Sequence, residues 1–152
     1  MKIEIGYAVP ADVPRLLEIR HAAFAAQAPA VYPPEQVATL LTDIDPDELR
    51  RMAAARQLFV ARVDGVLVGC AGWRDGRLRH VYVDPDHVRR GVGSALLARV
   101  EADFRERTGA AEITAGVVLY AEAFYRVNGY RVVREAAAWD GSLHLEMTKP
   151  LA

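Results

Sequence analysis

The period of the apolar positions changes several times along the chain, and each change marks an element. Ile3–Val9 alternates as a first strand does. From Val13 the spacing lengthens to that of a helix, with Val13, Leu16, Leu17, Ala23 and Phe24 on one stripe and Asp12 as the expected cap. Pro29, Pro33 and Pro34 interrupt regular structure over Ala28–Pro34. A short second helix is expected over Glu35–Thr42. Asp45-Pro46-Asp47-Glu48 starts a third, reaching about Arg56, because it supplies a cap, a proline at the first helical position and early acids. Three strand-like runs follow, Leu58–Val63, Val66–Arg74 and Arg77–Val83. Asp64-Gly65 and Asp75-Gly76 separate them, and Asp-Gly favours the type I′ turn of a hairpin. Helical spacing returns from Val92 to about Thr108, with Leu96, Leu97, Val100 and Phe104 on the apolar face and Gly109 as the C′ residue. Ile113–Val117 reads as a strand, and Tyr120–Val127 as a short helix stopped by Asn128-Gly129. Tyr130–Trp139 and Ser142–Thr148 read as a last hairpin across Asp140-Gly141. Helices interspersed with a hairpin-rich set of strands predict an α/β fold with a mixed, mostly antiparallel sheet.

Composition narrows the function classes. A chain of 152 residues buries a real core as one domain. A net charge of −1 gives no electrostatic reason to expect nucleic acid as a partner. One cysteine, Cys70, excludes an intrachain disulfide and a cysteine-based metal cluster, and its apolar strand context reads as a small buried hydrophobe rather than a nucleophile. The four histidines show no ligand spacing, so no metal is expected. With no N-terminal charged-then-apolar segment and no apolar run of spanning length, no membrane partner is expected, and a cytoplasmic location is.

Val81–Leu97, VYVDPDHVRRGVGSALL, carries the clearest chemistry. A strand ends, a basic glycine turn follows, and a helix begins at once. The first N–H groups of a helix lack intrahelical partners and sit at the positive end of its dipole, which makes an anion site. Gly91 and Gly93 allow a ligand to approach the backbone, and Arg89 and Arg90 add positive charge. A phosphate or pyrophosphate is the expected guest. No Lys follows either glycine, so the P-loop pattern fails. Leu96 occupies the third position of the dinucleotide fingerprint, so that fails too. An isolated Gly-x-Gly more often makes only a tight turn; the paired arginines and the strand–turn–helix context favour the ligand.

Two blocks resemble the GNAT (GCN5-related) N-acetyltransferases. Val81-Tyr82-Val83-Asp84-Pro85 followed by Arg90-Gly91-Val92-Gly93-Ser94-Ala95-Leu96-Leu97 is similar to the family's acetyl-CoA signature. Ala121-Glu122-Ala123-Phe124-Tyr125-Arg126-Val127-Asn128-Gly129-Tyr130 is similar to its A-x-x-F-Y-x-x-x-G-[FY] block, in the same order and at the family's spacing. Val88 stands where the signature has Gln or Arg, Arg89 where Gly or Arg is usual, and Val118 where an Asn often precedes the second block. Over nearly the whole chain, the resemblance implies a twisted sheet splayed between its fourth and fifth strands, with acetyl-CoA as acyl donor and an amine of a small molecule or peptide as acceptor. It implies a single transferase domain over residues 1–152, with direct attack in a ternary complex, and carries a homodimer as a further expectation. It also implies that Val81, Tyr82 and Val83 line the pantetheine arm and supply the oxyanion donor from backbone N–H. Val88, Arg89, Arg90, Gly91, Val92, Gly93 and Ser94 then hold the phosphates, with Tyr120 and Phe124 beside the cofactor.

The reaction needs a donor for the leaving thiolate and a route for the amine's proton. Tyr125 is the candidate acid, matching the Tyr of the second block, and Tyr120 is its nearest alternative. His80 is the candidate base, acting directly or through water. His21, His87 and His144 have weaker claims. Phe24, Tyr32, Trp73 and Trp139 are candidate acceptor-pocket aromatics, although simple packing explains each of them as well. A domain of the same fold that holds CoA without turnover is the alternative. A nucleotide-binding oxidoreductase is a third reading, weakened by Leu96 and the hairpin-rich sheet.

Overall fold

A computed structural model describes residues 2–151. Seven strands form one sheet in the order β1-β2-β3-β4-β5-β7-β6. They are β1 (Ile3–Tyr7), β2 (Leu58–Val63), β3 (Val66–Arg74), β4 (Arg77–Val83), β5 (Glu112–Val118), β6 (Arg131–Ala137) and β7 (Leu143–Pro150). The helices are α1 (Val13–Gln27), α2 (Pro34–Thr42), α3 (Pro46–Ala54), α4 (Val92–Thr108) and α5 (Glu122–Val127). Every expected helix and strand is present. Among the described residues no helix is long and apolar enough to cross a membrane.

Every neighbouring pair is antiparallel except β4–β5, which is parallel. That pair is joined only at Arg77↔Thr114 and Leu78↔Ala115. Beyond Leu78 the two strands diverge, so the expected splay lies where the resemblance implied it. The sheet separates two cores. Leu96, Leu97, Val100 and Phe104 of α4 pack with Phe59, Val68 and Ile113 on one face. Leu16, Ile19, Leu49 and Met52 of α1 and α3 pack with Val60 and Cys70 on the other.

Helix α4 ties the two halves of the divided sheet together with two buried carboxylates. Asp103 Oδ2 accepts from Trp73 Nε1 on β3 at 2.8 Å. Glu101 accepts from Tyr130 Oη at 2.7 Å and from Lys149 Nζ on β7 at 2.8 Å. Trp73 is thus a core residue of β3 packed against α4, not an acceptor-pocket aromatic.

Two local expectations are corrected. Asp12 makes no capping bond to α1. Its carboxylate instead accepts from the Val9 N–H and pairs with Arg62 on β2, because the preceding turn is already closed by the Asp12 N–H donating to Val9 O. The first two Asp-Gly turns have both residues at positive φ, as a type I′ turn requires, but at the third only Gly141 does. There β6 stops at Ala137 and β7 starts at Leu143. The five residues between them are closed by the Ala138 N–H donating to Ser142 O, while Asp140 Oδ1 accepts from the Ser142 N–H and hydroxyl. The Asp140 side chain does what the short turn's backbone would have done.

Replacing Glu101 by Ala strands the buried Tyr130 hydroxyl, so we expect a loss of roughly 1–3 kcal/mol of stability. This should appear in denaturant unfolding as a lower midpoint with an unchanged slope.

Candidate active site

The splay opens a groove of about 790 Å³. One wall is β4, from Leu78 to Val83. The other is β5 from Ala115 to Val118, continuing into Tyr120, Ala121, Phe124 and Tyr125. The turn at Val88, Arg89, Gly91, Gly93 and Ser94 closes one end. Of the expected site residues only Arg90 and Val92 do not line it. Arg90 is solvent-exposed, and the Val92 side chain is buried in the α4 core, so Val92 can contribute only through its backbone.

The turn is built by two glycines with different reasons. Gly91 precedes α4 at φ +81°, the left-handed region, with open space around its α-carbon. Arg89 shares that conformation at φ +61°. Gly93 has ordinary backbone, but a Cβ there would lie 2.9 Å from Phe124 Cζ. The ring of α5 therefore rests on the first turn of α4, and the two sequence blocks meet at this contact. No side chain caps α4, so its first N–H groups remain free for a ligand. The Nδ1 of His87, at the same end, is buried without a partner.

His80 stands on a bulge. Cys70 pairs with Tyr82 and Gly72 with Arg79, so β4 spends one residue more than β3 over that stretch. His80 adopts φ +58° there, an uncommon state for a side chain larger than glycine. Its carbonyl accepts from Cys70 Sγ at 3.1 Å, its Nδ1 meets Tyr82 Oη at 2.9 Å, and its Nε2 meets Glu48 Oε1 on α3. Burial pushes the imidazole below its ordinary value, with Glu48 opposing. Burial alone would raise the Glu48 carboxyl, yet the bond and charge of His80, with Arg79 and Arg74 nearby, hold it below the usual range. The pair is therefore a neutral imidazole beside an ionised carboxylate. Glu48 escaped the sequence reading because it looked like an ordinary acid in a helix's first turn; only the packing of α3 against the sheet brings it to His80.

Tyr125 packs edge-on to Phe124 and Tyr130, with ring centroids 5.2 and 5.3 Å away. Burial pushes its phenol up, as it does for Tyr120, so both stay protonated at neutral pH. Burial likewise raises the Cys70 thiol to about 12, in keeping with an inert buried cysteine.

A second cavity, of about 510 Å³, meets the groove at Arg79, Gly116 and Val118. Tyr32, Asp43, Trp139, Asp140 and His144 line it. Tyr32 Oη donates to Leu143 O at 2.7 Å and accepts from the Leu119 N–H at 3.0 Å, fastening the segment before α2 to both β7 and the approach to α5. Of the expected pocket aromatics, Tyr32 and Trp139 line this cavity, whereas Phe24 lines the groove. His144 joins the second cavity and His87 the groove. His21 lines neither.

Comparisons with known proteins agree with this fold. An uncharacterized N-acetyltransferase of Escherichia coli, YafP, is 29% identical over 133 residues, covering 88% of this chain and 84% of that protein. A GCN5-related N-acetyltransferase from Rhodopseudomonas palustris superposes with a TM-score of 0.88 at 24% identity, covering 99% of this chain and 97% of the other. The PaiA N-acetyltransferase of Thermoplasma acidophilum, solved in complex with coenzyme A, gives a TM-score of 0.77 at 20% identity over 99% of each chain. The family model of the acetyltransferase (GNAT) domain matches residues 29–151, and the chain belongs to that family of N-acetyltransferases.

Proposed function

We propose that the protein transfers an acetyl group from acetyl-CoA to a primary amine of a small molecule or peptide, by direct attack in a ternary complex. The single observation that carries the reading is the groove between β4 and β5. One end offers unpartnered N–H groups at the start of α4, suited to a diphosphate. Its middle exposes the β4 edge beyond Leu78, where no strand takes the main-chain groups. The amides of an extended pantetheine arm can pair there as an added strand would. The PaiA protein, which shares this fold, was solved with coenzyme A.

The Val88–Ser94 turn supplies backbone donors to the diphosphate, so the valine at 88, where the signature carries Gln or Arg, removes a side chain without removing those donors. Arg89 adds charge beside them. Val81 and Val83 offer main-chain groups to the pantetheine amides, and a backbone N–H of this stretch serves the developing oxyanion. Tyr125, protonated and lining the groove, gives its proton to the departing thiolate. The amine enters from the second cavity and attacks once neutral; holding it against the thioester supplies much of the rate. Asp43 and Asp140 at that cavity attract a cationic amine before it loses its proton.

Acetyl-CoA should bind saturably in calorimetry, whereas NAD and ATP should not; equal binding of all three would leave only a general nucleotide site. Tyr125→Phe should lower kcat by about 100-fold or more while acetyl-CoA still binds. Thiol release at the parental rate would remove Tyr125 from the chemistry. Acetyl-CoA binding without thiol release across a panel of amines would favour the non-catalytic CoA-binding domain.

A further inference from the structure

We infer that Glu48, His80 and Tyr82 form a proton relay for the attacking amine. Tyr82 meets the substrate, His80 receives the proton, and Glu48 is the positioning residue that holds the imidazole and balances its charge. This rests on the amine-acetylation reading above.

The geometry excludes the simpler role of His80 as a base that faces the amine directly. Both ring nitrogens are engaged, Nε2 with Glu48 and Nδ1 with Tyr82 Oη at 2.9 Å. An ionised carboxylate only accepts, so Nε2 carries the hydrogen and Nδ1 accepts from the Tyr82 hydroxyl. A proton therefore reaches His80 through Tyr82. Both side chains line the groove at the turn of the bulge. The bulge has a purpose on this reading: it lets His80 and Tyr82, two apart on β4, bond through their side chains while His80 reaches α3.

The charges around the relay all bear on its poise. Arg20 of α1 lies over the Phe24 ring at 4.7 Å and the Tyr82 ring at 5.9 Å. Arg79 of β4 is 3.7 Å from Glu48 Oε1, and Arg74 of β3 acts on the same carboxylate. Cys70 of β3 donates to the His80 carbonyl and is held neutral by burial. Burial disfavours an imidazolium, Glu48 opposes that effect, and Arg20 and Arg79 add to it, so His80 is neutral at rest and its protonated form has a counter-ion waiting. Burial raises the Tyr82 phenol to about 12, so it acts as a conduit and not as a resting base.

In the step itself the amine nitrogen bonds to the acetyl carbon and the carbon–sulfur bond breaks. The electron pair goes to sulfur, which takes the Tyr125 proton. The proton released from nitrogen passes to Tyr82 Oη as the phenol's own proton moves to His80 Nδ1. The site is left with an imidazolium beside Glu48 and a phenolate at Tyr125. Solvent in the groove takes one proton from His80 through Tyr82 and returns one to Tyr125.

The test joins a titration to kinetics. Nitrogen-15 NMR of the parent should show His80 as the Nε2–H tautomer, with a midpoint below the ordinary 6.5 that falls further in Glu48→Gln. Kinetics should use acetyl-CoA with the best amine from a panel containing a polyamine and a tripeptide with a free N-terminus. Glu48→Gln and Tyr82→Phe should each lower kcat by about 100-fold, and the double variant should be little worse than either. Glu48→Asp should restore part of the rate. The acidic limb of kcat/KM should lie below pH 6.5 in the parent and lower still in Glu48→Gln, since a neutral His80 must be present and loses its counter-ion there. Tyr82→Phe keeps the aromatic contact with Phe24, so an unfolding scan separates misfolding from lost chemistry. Parental turnover with an unmoved limb in Glu48→Gln, or an Nδ1–H tautomer, overturns the relay and leaves the transfer reading standing. A parent that neither binds acetyl-CoA nor releases thiol overturns the transfer reading and the relay with it.

Discussion

Strands β4 and β5 lie side by side and yet pair only at Arg77 and Leu78. A sheet interrupted in this way exposes main-chain donors and acceptors that would ordinarily satisfy one another, and it removes the bonds that hold its halves together. Helix α4 supplies the missing connection. Its apolar stripe lies across the N-terminal strands, its Asp103 reaches Trp73 on β3, and its Glu101 reaches Tyr130 and Lys149 on the far side. Buried carboxylates are costly without partners, and here each has them. The same helix that closes the sheet mechanically also presents its N-terminus to the groove that the opening creates.

That double use explains the tight local geometry around the turn. Gly91 is required by its backbone angle, Gly93 by the Phe124 ring that leans on it. A Cβ at Gly93 would push that ring, and with it the short helix carrying Tyr125. The glycine turn at one end of the groove and the helix of the candidate acid therefore meet where the Phe124 ring sits over Gly93, between two stretches about thirty residues apart in the chain. Tyr32 fastens the same neighbourhood from the other side through Leu143 and Leu119.

The electrostatics are local too. A net charge near neutrality says nothing about the site, whereas Arg20, Arg74 and Arg79 gather on the Glu48–His80 pair and Asp43 and Asp140 on the second cavity. The groove and this cavity meet at Arg79, Gly116 and Val118. The splay is thus open from two sides.

The chain's own pattern determined the elements and their order, because periodicity, proline breaks and Asp-Gly turns act over a few residues. It also determined the glycine turn at the head of α4 and the Phe124-Tyr125 block. Both are contiguous motifs whose physics is carried by neighbours in sequence. Tertiary structure decided what depends on distant residues. Trp73 went to the core because α4 covers it, Val92 because it lies on the buried face of α4 itself, and the hairpin at Asp140 lengthened because its carboxylate bonds to Ser142. His80 acquired its left-handed backbone only because β4 bulges against β3, and Glu48 joined it only because α3 packs on that face of the sheet. No local pattern encodes a pairing between residues 32 positions apart; it exists once the cores on both faces have brought helix and strand together.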